Sequence, residues 1–543
     1  MLTYTPPGQR VRAKITEKPW ILLLLAFAWL WPGVFGHDLW RPGEPWLGEV
    51  VRQAAAGGGA LRPSLFGEAY FDAPPVYVAL AALLRRILPP QWVDAYAAMR
   101  LAGVMFTALG LAACGTAAYR FLGKYQGRTV VLVCIGCAGL IVPTHFLSGV
   151  SVQFAALGLC LYGFSLAKTR IIAASALLGG GWALWAASAG YLAAGALMLA
   201  AVLLWLTPPW RNRRYAVALV GASAVALPLM LVYPLMLYYS RPEAFDEWMR
   251  LAVFGAFGGT ETFSLSFSLF YYLKNLLWFA FPAWPLAAWT AWRGKLPQQD
   301  WGMLALVWLS VCTLLLAWMP QRFQDNLIWL LPPLALLAAA CLDSLRRGAA
   351  AFLNWFGIMA FGLLAAFLWL GFVAMNFGWP AKLAERSAYF SPYYVPQFSG
   401  WAVAAGLLFT LLWLRAVTRR HIKGRQAVTN WAAGMTLVWA LLMTLWLPWL
   451  DAAKSYRPVV VQMERAAPAD LRDGRACMSL NAEDTLARLV WREYGRTDIR
   501  VGGDCAYRLL ERPQFLPDGW TEIWRGGRPR NRTEYFVLLK KAV

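Results

Sequence analysis

The sequence predicts an all-α polytopic membrane protein with about thirteen transmembrane helices, external amphipathic helices and a small α/β C-terminal extracytoplasmic domain. Of its 543 residues, 59% are hydrophobic and 14% are charged, and the mean hydropathy is +0.48. A single soluble core cannot bury that much apolar surface. Apolar stretches recur from residue 20 to residue 449, and the composition turns polar after Leu450. These observations predict a membrane region followed by a small domain outside the membrane.

The apolar stretches are long enough to be counted as spans, because a transmembrane helix needs about 20 predominantly apolar residues. In chain order they are 20–36, 99–116, 129–143, 147–167, 171–186, 189–206, 215–236, 268–291, 302–319, 327–345, 352–375, 400–414 and 429–449. The first follows Arg10, Arg12, Lys14 and Lys18, as in a signal peptide, but no small-residue cleavage site comes after it. We therefore expect it to remain as an anchor.

Basic residues are concentrated in alternate connections, which predicts a cytoplasmic N-terminus and an external C-terminus. The connections predicted to be cytoplasmic carry Arg120, Lys124, Arg128, Lys168, Arg170, Arg211, Arg213, Arg214, Arg293, Lys295, Arg346, Arg347, Arg415, Arg419, Arg420, Lys423 and Arg425. Much of the formal net charge of +22 lies in these turns. We interpret that charge as a topology signal and a contact with anionic lipid, not as a nucleic-acid footprint.

The predicted domains are a transmembrane region at 1–450, with a first external loop at 37–98, and a C-terminal domain at 451–543. The first loop concentrates charge and proline, so it is where we expect the chemistry of the protein. Two amphipathic helices are predicted within it, at Pro45–Ala56 and Pro75–Leu88, both lying at the membrane interface.

Two other external segments are long, Ser240–Phe267 and Gly378–Gly400. The second contains SAYFSPYYVPQF. This run is interpreted as an aromatic belt at the membrane surface, with a lid or a sugar platform as the functional alternative.

The eight cysteines divide into two groups. Six lie in predicted spans as small apolar side chains, including the Cys134-x-x-Cys137 pair, which is interpreted as packing and not as a metal or redox site. Cys477 and Cys505 lie in the C-terminal domain, where a disulfide and two free thiols are both compatible with the sequence.

The first loop carries a spaced set of residues with a recognisable pattern. They are Gly43, Glu44, Glu49 and Arg52, then Pro63, Leu65, Gly67, Tyr70, Asp72, Ala73, Pro74 and Pro75. Further along are Arg100-Leu101, the stretch FYYLKNLLWFAFPAWPL from Phe270 and RFQDNLIWLLPPLALL from Arg322. Together they resemble the membrane-embedded C-superfamily glycosyltransferases, most closely the bacterial relatives of protein O-mannosyltransferase and of the lipid A aminoarabinose transferase.

The resemblance implies transfer of a sugar from a polyprenyl-phosphate-linked donor to an extracytoplasmic acceptor, by an inverting displacement with no obligatory metal or other cofactor. Such a reaction needs a carboxylate that orients or deprotonates the acceptor, and cations that hold the departing phosphate. The chain departs from the family pattern at three charged positions. Gly43 stands at the first aspartate, Ala73 stands at the lysine, and the segment THFLSGVSVQF lacks the later aspartate.

Two explanations of these departures stay open. In the first, neighbouring groups have taken over: the candidate catalytic residues are Glu44 and Asp38, and the candidate substrate-binding or phosphate-binding residues are Arg41, Arg62, Tyr70, Asp72 and Arg322. In the second, the chain is a catalytically inactive lipid-binding partner subunit with the same fold. Glu44 also suits a charge at a helix N-terminus, and Arg322 suits an interfacial anchor. The three histidines are dispersed, so no metal site is predicted.

The implied partners are the polyprenyl phosphate carrier lipid and an acceptor glycan, lipid or protein of the cell envelope, with a membrane-protein partner as a further option. No nucleic-acid partner is expected. The implied location is the bacterial inner (cytoplasmic) membrane, with the active face and the C-terminal domain periplasmic. An ion-coupled transporter is disfavoured because the centres of the predicted spans are nearly free of acidic residues.

Overall fold

Long apolar helices make up most of the protein. The computed structural model describes residues 19–40, 43–59, 62–259, 263–418, 424–531 and 533–542. Among these, seven helices are long and apolar enough to cross a membrane, and a pair bent by 75° at Gly136–Cys137 makes an eighth if it is one span. The predicted fold class, a polytopic helical membrane protein with a small C-terminal sheet domain, is confirmed.

The helices of the membrane part follow the predicted apolar stretches. They are α1 (Pro19–Trp29), α2 (Glu44–Gln53), α3 (Pro75–Ile87), α4 (Ala95–Leu122), α5 (Gln126–Ile135), α6 (Ile141–His145), α7 (Val150–Leu166), α8 (Ile171–Ala189), α9 (Tyr191–Trp205), α10 (Arg213–Ser240), α11 (Pro242–Trp248), α12 (Leu269–Phe279), α13 (Ala283–Arg293), α14 (Asp300–Trp318), α15 (Leu331–Ala340), α16 (Arg347–Phe377), α17 (Ala381–Phe390), α18 (Gly400–Val417), α19 (Gly424–Leu445) and α20 (Leu447–Lys454).

Each of the predicted stretches contains helix, but several of these helices are short or divided. The stretch 268–291 is split into α12 and α13 at the cis peptide bond Phe281-Pro282. In the stretch 327–345 the ten residues of α15 lie between two 3-10 turns, Gln324–Leu330 and Leu342–Ser344. That all thirteen stretches cross the membrane therefore stays a prediction.

Helix α4 is the element that carries the first loop into the membrane region. The Asp94 carboxylate caps it by accepting hydrogen bonds from the backbone N–H groups of Tyr96 and Ala97. Its contact with α7 is unusually close, since a Cβ added at Gly158 would lie 2.8 Å from the carbonyl oxygen of Gly110. This close packing holds the middle of α4 against α7, while Arg100, in the second turn, is held by its own hydrogen bonds to the first loop.

The first loop is folded and largely covered by protein. Helix α2 exists as predicted, and seven of its ten residues are buried, so protein covers most of it; that it lies at the depth of the membrane interface stays a prediction. Its polar face is covered because the C-terminal domain sits on it, with Arg492 of that domain 3.4 Å from Glu49. Helix α3 does expose apolar side chains, including Leu83 and Ile87. Between α2 and α3, β1 (Ser64–Leu65) and β2 (Glu68–Ala69) form a small hairpin.

The C-terminal domain combines helices with a mixed sheet. Its helices are α21 (Arg457–Ala466), α22 (Ala469–Arg472) and α23 (Thr485–Tyr494), and its strands are β3 (Met478–Leu480), β4 (Ile499–Val501), β5 (Tyr507–Glu511), β6 (Trp520–Gly526) and β7 (Phe536–Lys541). The strand order is β4-β3-β5-β7-β6, with β3 parallel to both neighbours and the remaining pairs antiparallel. Cys477 and Cys505 form a disulfide, which decides the alternative that the sequence left open. The predicted boundary at 450/451 stays a prediction, and α20 runs across it.

Candidate active site

A cavity of about 590 Å³ opens where the first loop meets the helices. Its walls come from the segment 71–76 after the hairpin, from the α8–α9 junction, from α10, and from the segments 248–256 and 319–329. Part of the predicted external segment Ser240–Phe267 therefore contributes to it. Most of the lining is apolar or aromatic, as is usual for a ligand cavity.

The polar groups of the cavity are mainly uncharged. The Gln153 side-chain oxygen accepts a hydrogen bond from Trp329 Nε1 at 3.1 Å, and its amide nitrogen donates to the carbonyl oxygen of Ser188 at 3.0 Å. This side chain thus ties α7 to α8 and to the 3-10 turn before α15. Asn326 adds a second amide. Among the described lining residues, Asp72 is the one acid, and no lysine or arginine is present.

Glu44 does not line this cavity and is committed to a buried ion pair. Its Oε1 is 2.8 Å from Arg100 Nε, and the two side chains are 3% and 0% exposed. The carboxylate also accepts hydrogen bonds from the backbone N–H groups of Trp40 at 2.8 Å and Leu147 at 2.9 Å. Burial by itself would raise the pKa of Glu44, but the charge and hydrogen bonds of Arg100 outweigh it and hold the pKa below its usual value.

Arg100 also donates hydrogen bonds to the backbone of the first loop. It donates to the carbonyl oxygens of His37 at 3.0 Å and Asp38 at 2.7 Å. Burial, followed by the charge of Arg100, lowers the pKa of His37 to about 4, so this ring is neutral at physiological pH. The first loop is therefore held by a buried polar cluster, which consists of Glu44, Arg100 and the backbone of residues 37–40.

Asp38 joins the loop to the C-terminal domain. Its carboxylate accepts two hydrogen bonds from Arg457, at 2.6 and 2.9 Å, and one from the Ser455 hydroxyl at 2.6 Å. Asp451 Oδ1 accepts from the backbone N–H of Asp38 and from Trp40 Nε1. Burial and the nearby charge of Asp38 raise the pKa of Asp451 to about 6.

The other predicted site residues are spread around the cavity. Asp72 lines it and is exposed. Tyr70 is half-buried two residues away, and burial together with the charge of Asp72 raises its pKa to about 12. Arg322 is exposed next to the lining residue Phe323, and its Nε donates to the Ser268 hydroxyl at 3.0 Å. Arg62 is exposed at the start of the hairpin. Arg41 lies outside the described residues.

The structure therefore brings Glu44 and Asp38 together with Arg100, but places neither carboxylate in the lining of the cavity. Sequence reasoning used Arg100 only as one of the residues that carry the resemblance, and gave no role to Gln153, Asp451 or Arg457. Of these, Arg100 carried a usable signal, because a charged residue near the start of a span requires a partner. Gln153 carried only a weaker one, its position in the segment where the family aspartate is absent.

Comparison with solved structures shows that the chain shares the fold of ArnT, which confirms the predicted resemblance at the level of the fold. No family model and no curated protein matches the sequence. The chain is similar to ArnT from Cupriavidus metallidurans in the apo state, with a TM-score of 0.63 and 16% identity over 96% of this chain and 97% of that one.

A second structure of ArnT from Cupriavidus metallidurans, bound to undecaprenyl phosphate, gives a TM-score of 0.62 at 16% identity, with 96% of each chain covered. The oligosaccharyltransferase of Archaeoglobus fulgidus gives a TM-score of 0.46 at 12% identity, covering 89% of this chain and 64% of that one. The likeness to ArnT shows a shared fold, since 16% identity carries no residue roles across.

Proposed function

We propose that the protein transfers a sugar from a polyprenyl-phosphate-linked donor to an acceptor on the periplasmic side of the bacterial inner membrane. The observation that carries the proposal is the cavity of about 590 Å³ between the first loop and the helices. It occurs in a fold shared with a protein whose structure contains undecaprenyl phosphate.

The lining of the cavity suits a ligand with an apolar chain and a polar head. Leu229, Val232 and Met236 of α10 supply an apolar wall for isoprenoid units, and Gln153 and Asn326 supply amide groups for sugar hydroxyls. Asp72 lies in the loop segment that closes the cavity. In this proposal Asp72 is the carboxylate that orients or deprotonates the acceptor.

The departing phosphate needs fixed positive charge, and within a partly dehydrated cleft one ionic contact is worth several kcal/mol. Arg322, beside the lining residue Phe323, and Arg62, in the hairpin that precedes Asp72, are the proposed cations. The roles of Glu44 and Asp38 as catalytic carboxylates stay predictions. Their contacts support a different proposal, in which both hold the loop in place.

The periplasmic orientation is supported by two independent features. Basic residues cluster in alternate connections, as in cytoplasmic turns. The disulfide Cys477–Cys505 lies in the C-terminal domain, and structural disulfides persist in oxidising compartments such as the periplasm. The proposal includes no obligatory metal, so a chelator should leave the rate unchanged.

One observation favours a second candidate, an inactive lipid-binding partner subunit. Gly43 and Ala73 replace charged family residues, and the described lining of the cavity contains no lysine or arginine. Such a protein would bind the carrier lipid and act through a membrane-protein partner.

The test uses the purified full chain in vesicles that contain a polyprenyl-phosphate-linked sugar labelled in the sugar, with an envelope lipid extract as the acceptor. Wild type should move label to the acceptor. Asp72→Asn should lower the rate by roughly 10²-fold or more, the size typical of lost acid–base catalysis. Glu68→Gln is the matched control, because Glu68 is an exposed acid of the same hairpin and should leave the rate unchanged.

Full activity in Asp72→Asn would remove Asp72 from its role. Binding of undecaprenyl phosphate by wild type, without transfer from any donor offered and with a co-purifying membrane protein, would overturn the enzyme proposal in favour of the partner subunit.

A further inference from the structure

A second cavity lies apart from the proposed active site. It measures about 280 Å³ and shares none of its lining residues with the larger cavity. Helix α16 forms its floor through Phe367, Gly371 and Met375, and helix α17 forms its roof. Trp446 and Trp449, at the junction of α19 and α20, form a wall.

The two tryptophans present hydrocarbon to this cavity because their polar atoms are used elsewhere. Trp446 Nε1 donates to the carbonyl oxygen of Leu368 at 2.8 Å, and Trp449 Nε1 donates to that of Ser387 at 3.2 Å. The Trp446 ring lies directly on the α16 backbone, since a Cβ added at Gly371 would clash with it. The result is a built apolar pocket, which has too few polar partners to hold water.

The roof of the pocket carries positive charge. Helix α17 has no buried residue, and Lys382 and Arg386 are exposed one turn apart on it. Arg386 also lines the pocket. Within the described parts of the chain neither forms an ion pair, and the acid of the same helix, Glu385, pairs with neither.

Exposed aromatic side chains place the pocket at the edge of the membrane. Trp379, Phe390, Phe398 and Trp401 are between 48% and 81% exposed around α17, which is the pattern of an aromatic belt at the membrane–water boundary. The C-terminal domain attaches on the same side, where Arg530 Nε donates to the carbonyl oxygen of Tyr389 at 3.0 Å. The pocket therefore lies at the depth of lipid head groups.

From these four features we infer that the pocket under α17 binds an anionic phospholipid of the bilayer, separately from any sugar donor. One acyl chain occupies the apolar pocket, and the lipid phosphate is held by Arg386 and Lys382. The charge selects an anionic lipid over a zwitterionic one, since basic side chains at this depth attract anionic head groups. The occupant is a lipid and not a protein segment, because the pocket combines head-group depth with two cations at its mouth that form no ion pair among the described residues.

The test is native mass spectrometry of the full chain released from bilayers of equal parts phosphatidylglycerol and phosphatidylcholine. Wild type should retain one phosphatidylglycerol in preference to phosphatidylcholine. Arg386→Gln and Lys382→Gln should each lower that preference roughly fivefold, and Arg386→Lys should keep most of it. Lys274→Gln is the control, because Lys274 is an exposed cation on α12 away from the pocket, and it should leave the preference unchanged.

A second variant tests the apolar part without touching charge. Leu383→Trp fills the pocket and should remove the retained lipid while the protein stays folded. Equal retention of the two lipids by wild type, or unchanged preference in both Arg386→Gln and Leu383→Trp, would overturn the inference. So would a co-purifying protein that, in lipid-free detergent, protects the new thiol of Ser387→Cys from labelling.

Discussion

The guanidinium of Arg100 and the carboxylate of Glu44 form a fully buried ion pair, 2.8 Å from Nε to Oε1, between the second turn of α4 and the first turn of α2. Every oxygen and nitrogen at this contact has a partner in the chain. The pair thus connects a membrane-spanning helix to the loop that shapes the proposed active site.

Replacing Glu44 with Gln should destabilise the protein, because Arg100 would keep a buried charge without a counter-ion. Breaking a buried pair from one side costs about 3–5 kcal/mol of the free energy of unfolding. Thermal unfolding of the purified protein in detergent measures the loss, with Glu68→Gln as the control. The double variant Glu44→Gln/Arg100→Met should recover most of it. A Glu44→Gln protein of wild-type stability that fails to transfer sugar would instead support the catalytic prediction for Glu44.

Replacing Asp38 with Asn should loosen the C-terminal domain from the first loop. The change removes a carboxylate that accepts from Arg457 and Ser455, and hydrogen bonds to charged groups contribute about 1.5–3 kcal/mol each when they are shielded from water. Limited proteolysis should cut near 454–457 faster than in wild type. Asp473→Asn, in a solvent-exposed pair with Arg475, should leave the cleavage rate unchanged. Equal cleavage of all three proteins would contradict the connecting role.

Asp451 should make stability fall as the pH rises from about 4 to about 6. Its folded pKa is raised to about 6, above the unfolded value, so the folded state prefers the protonated acid. The resulting stability is present below pH 4 and is lost above pH 6, by about 1–3 kcal/mol. Asp451→Asn should remove this dependence, measured as the difference between variant and wild type at each pH. The lowered pKa of His37 makes stability rise with pH over a similar range. That contribution is the same in both proteins, so it cancels in the difference.

Removing the disulfide should weaken the C-terminal domain selectively. Cys477 and Cys505 are 28 residues apart, and closing a loop of that length stabilises a fold by about 3–4 kcal/mol. In Cys477→Ser/Cys505→Ser, hydrogen exchange should accelerate in β3, β5 and β7 while the amides of α4 and α7 stay protected. Cys341→Ser, which changes an unpaired cysteine, is the control. Unchanged exchange in the sheet would show that the disulfide adds nothing to this domain.

The sequence was sufficient for the membrane class, the positions of the helices and the C-terminal domain, because hydrophobicity and charge bias are local signals. It was sufficient for the family resemblance through Pro63, Tyr70 and the residues up to Pro75. It was not sufficient for the environment of Glu44 and Asp38. Their partners, Arg100 and Arg457, are 56 and 419 residues away, and no local pattern encodes such pairs.

The absence of a local signal for distant partners also explains why the sequence did not show what covers α2. Its alternation of apolar and charged residues indicates an amphipathic helix, but the pattern does not say whether lipid head groups or another domain cover the polar face. The ion pair of Glu49 with Arg492 shows that the C-terminal domain covers part of it. The sequence also did not indicate the role of Gln153. A single glutamine in an apolar helix has no periodicity from which its two hydrogen-bonding partners could be inferred.

The separation of 419 residues between Asp38 and Arg457 also sets an order of events during biosynthesis. The ribosome adds roughly 5–20 residues per second, so at least about 20 seconds pass between the synthesis of these two residues. Throughout that interval the Asp38 carboxylate lacks the arginine with which it pairs in the folded protein. The contact between the first loop and the C-terminal domain is therefore made last, when the final ninety or so residues have been synthesised, and a chain released before that point would lack the partners of Asp38.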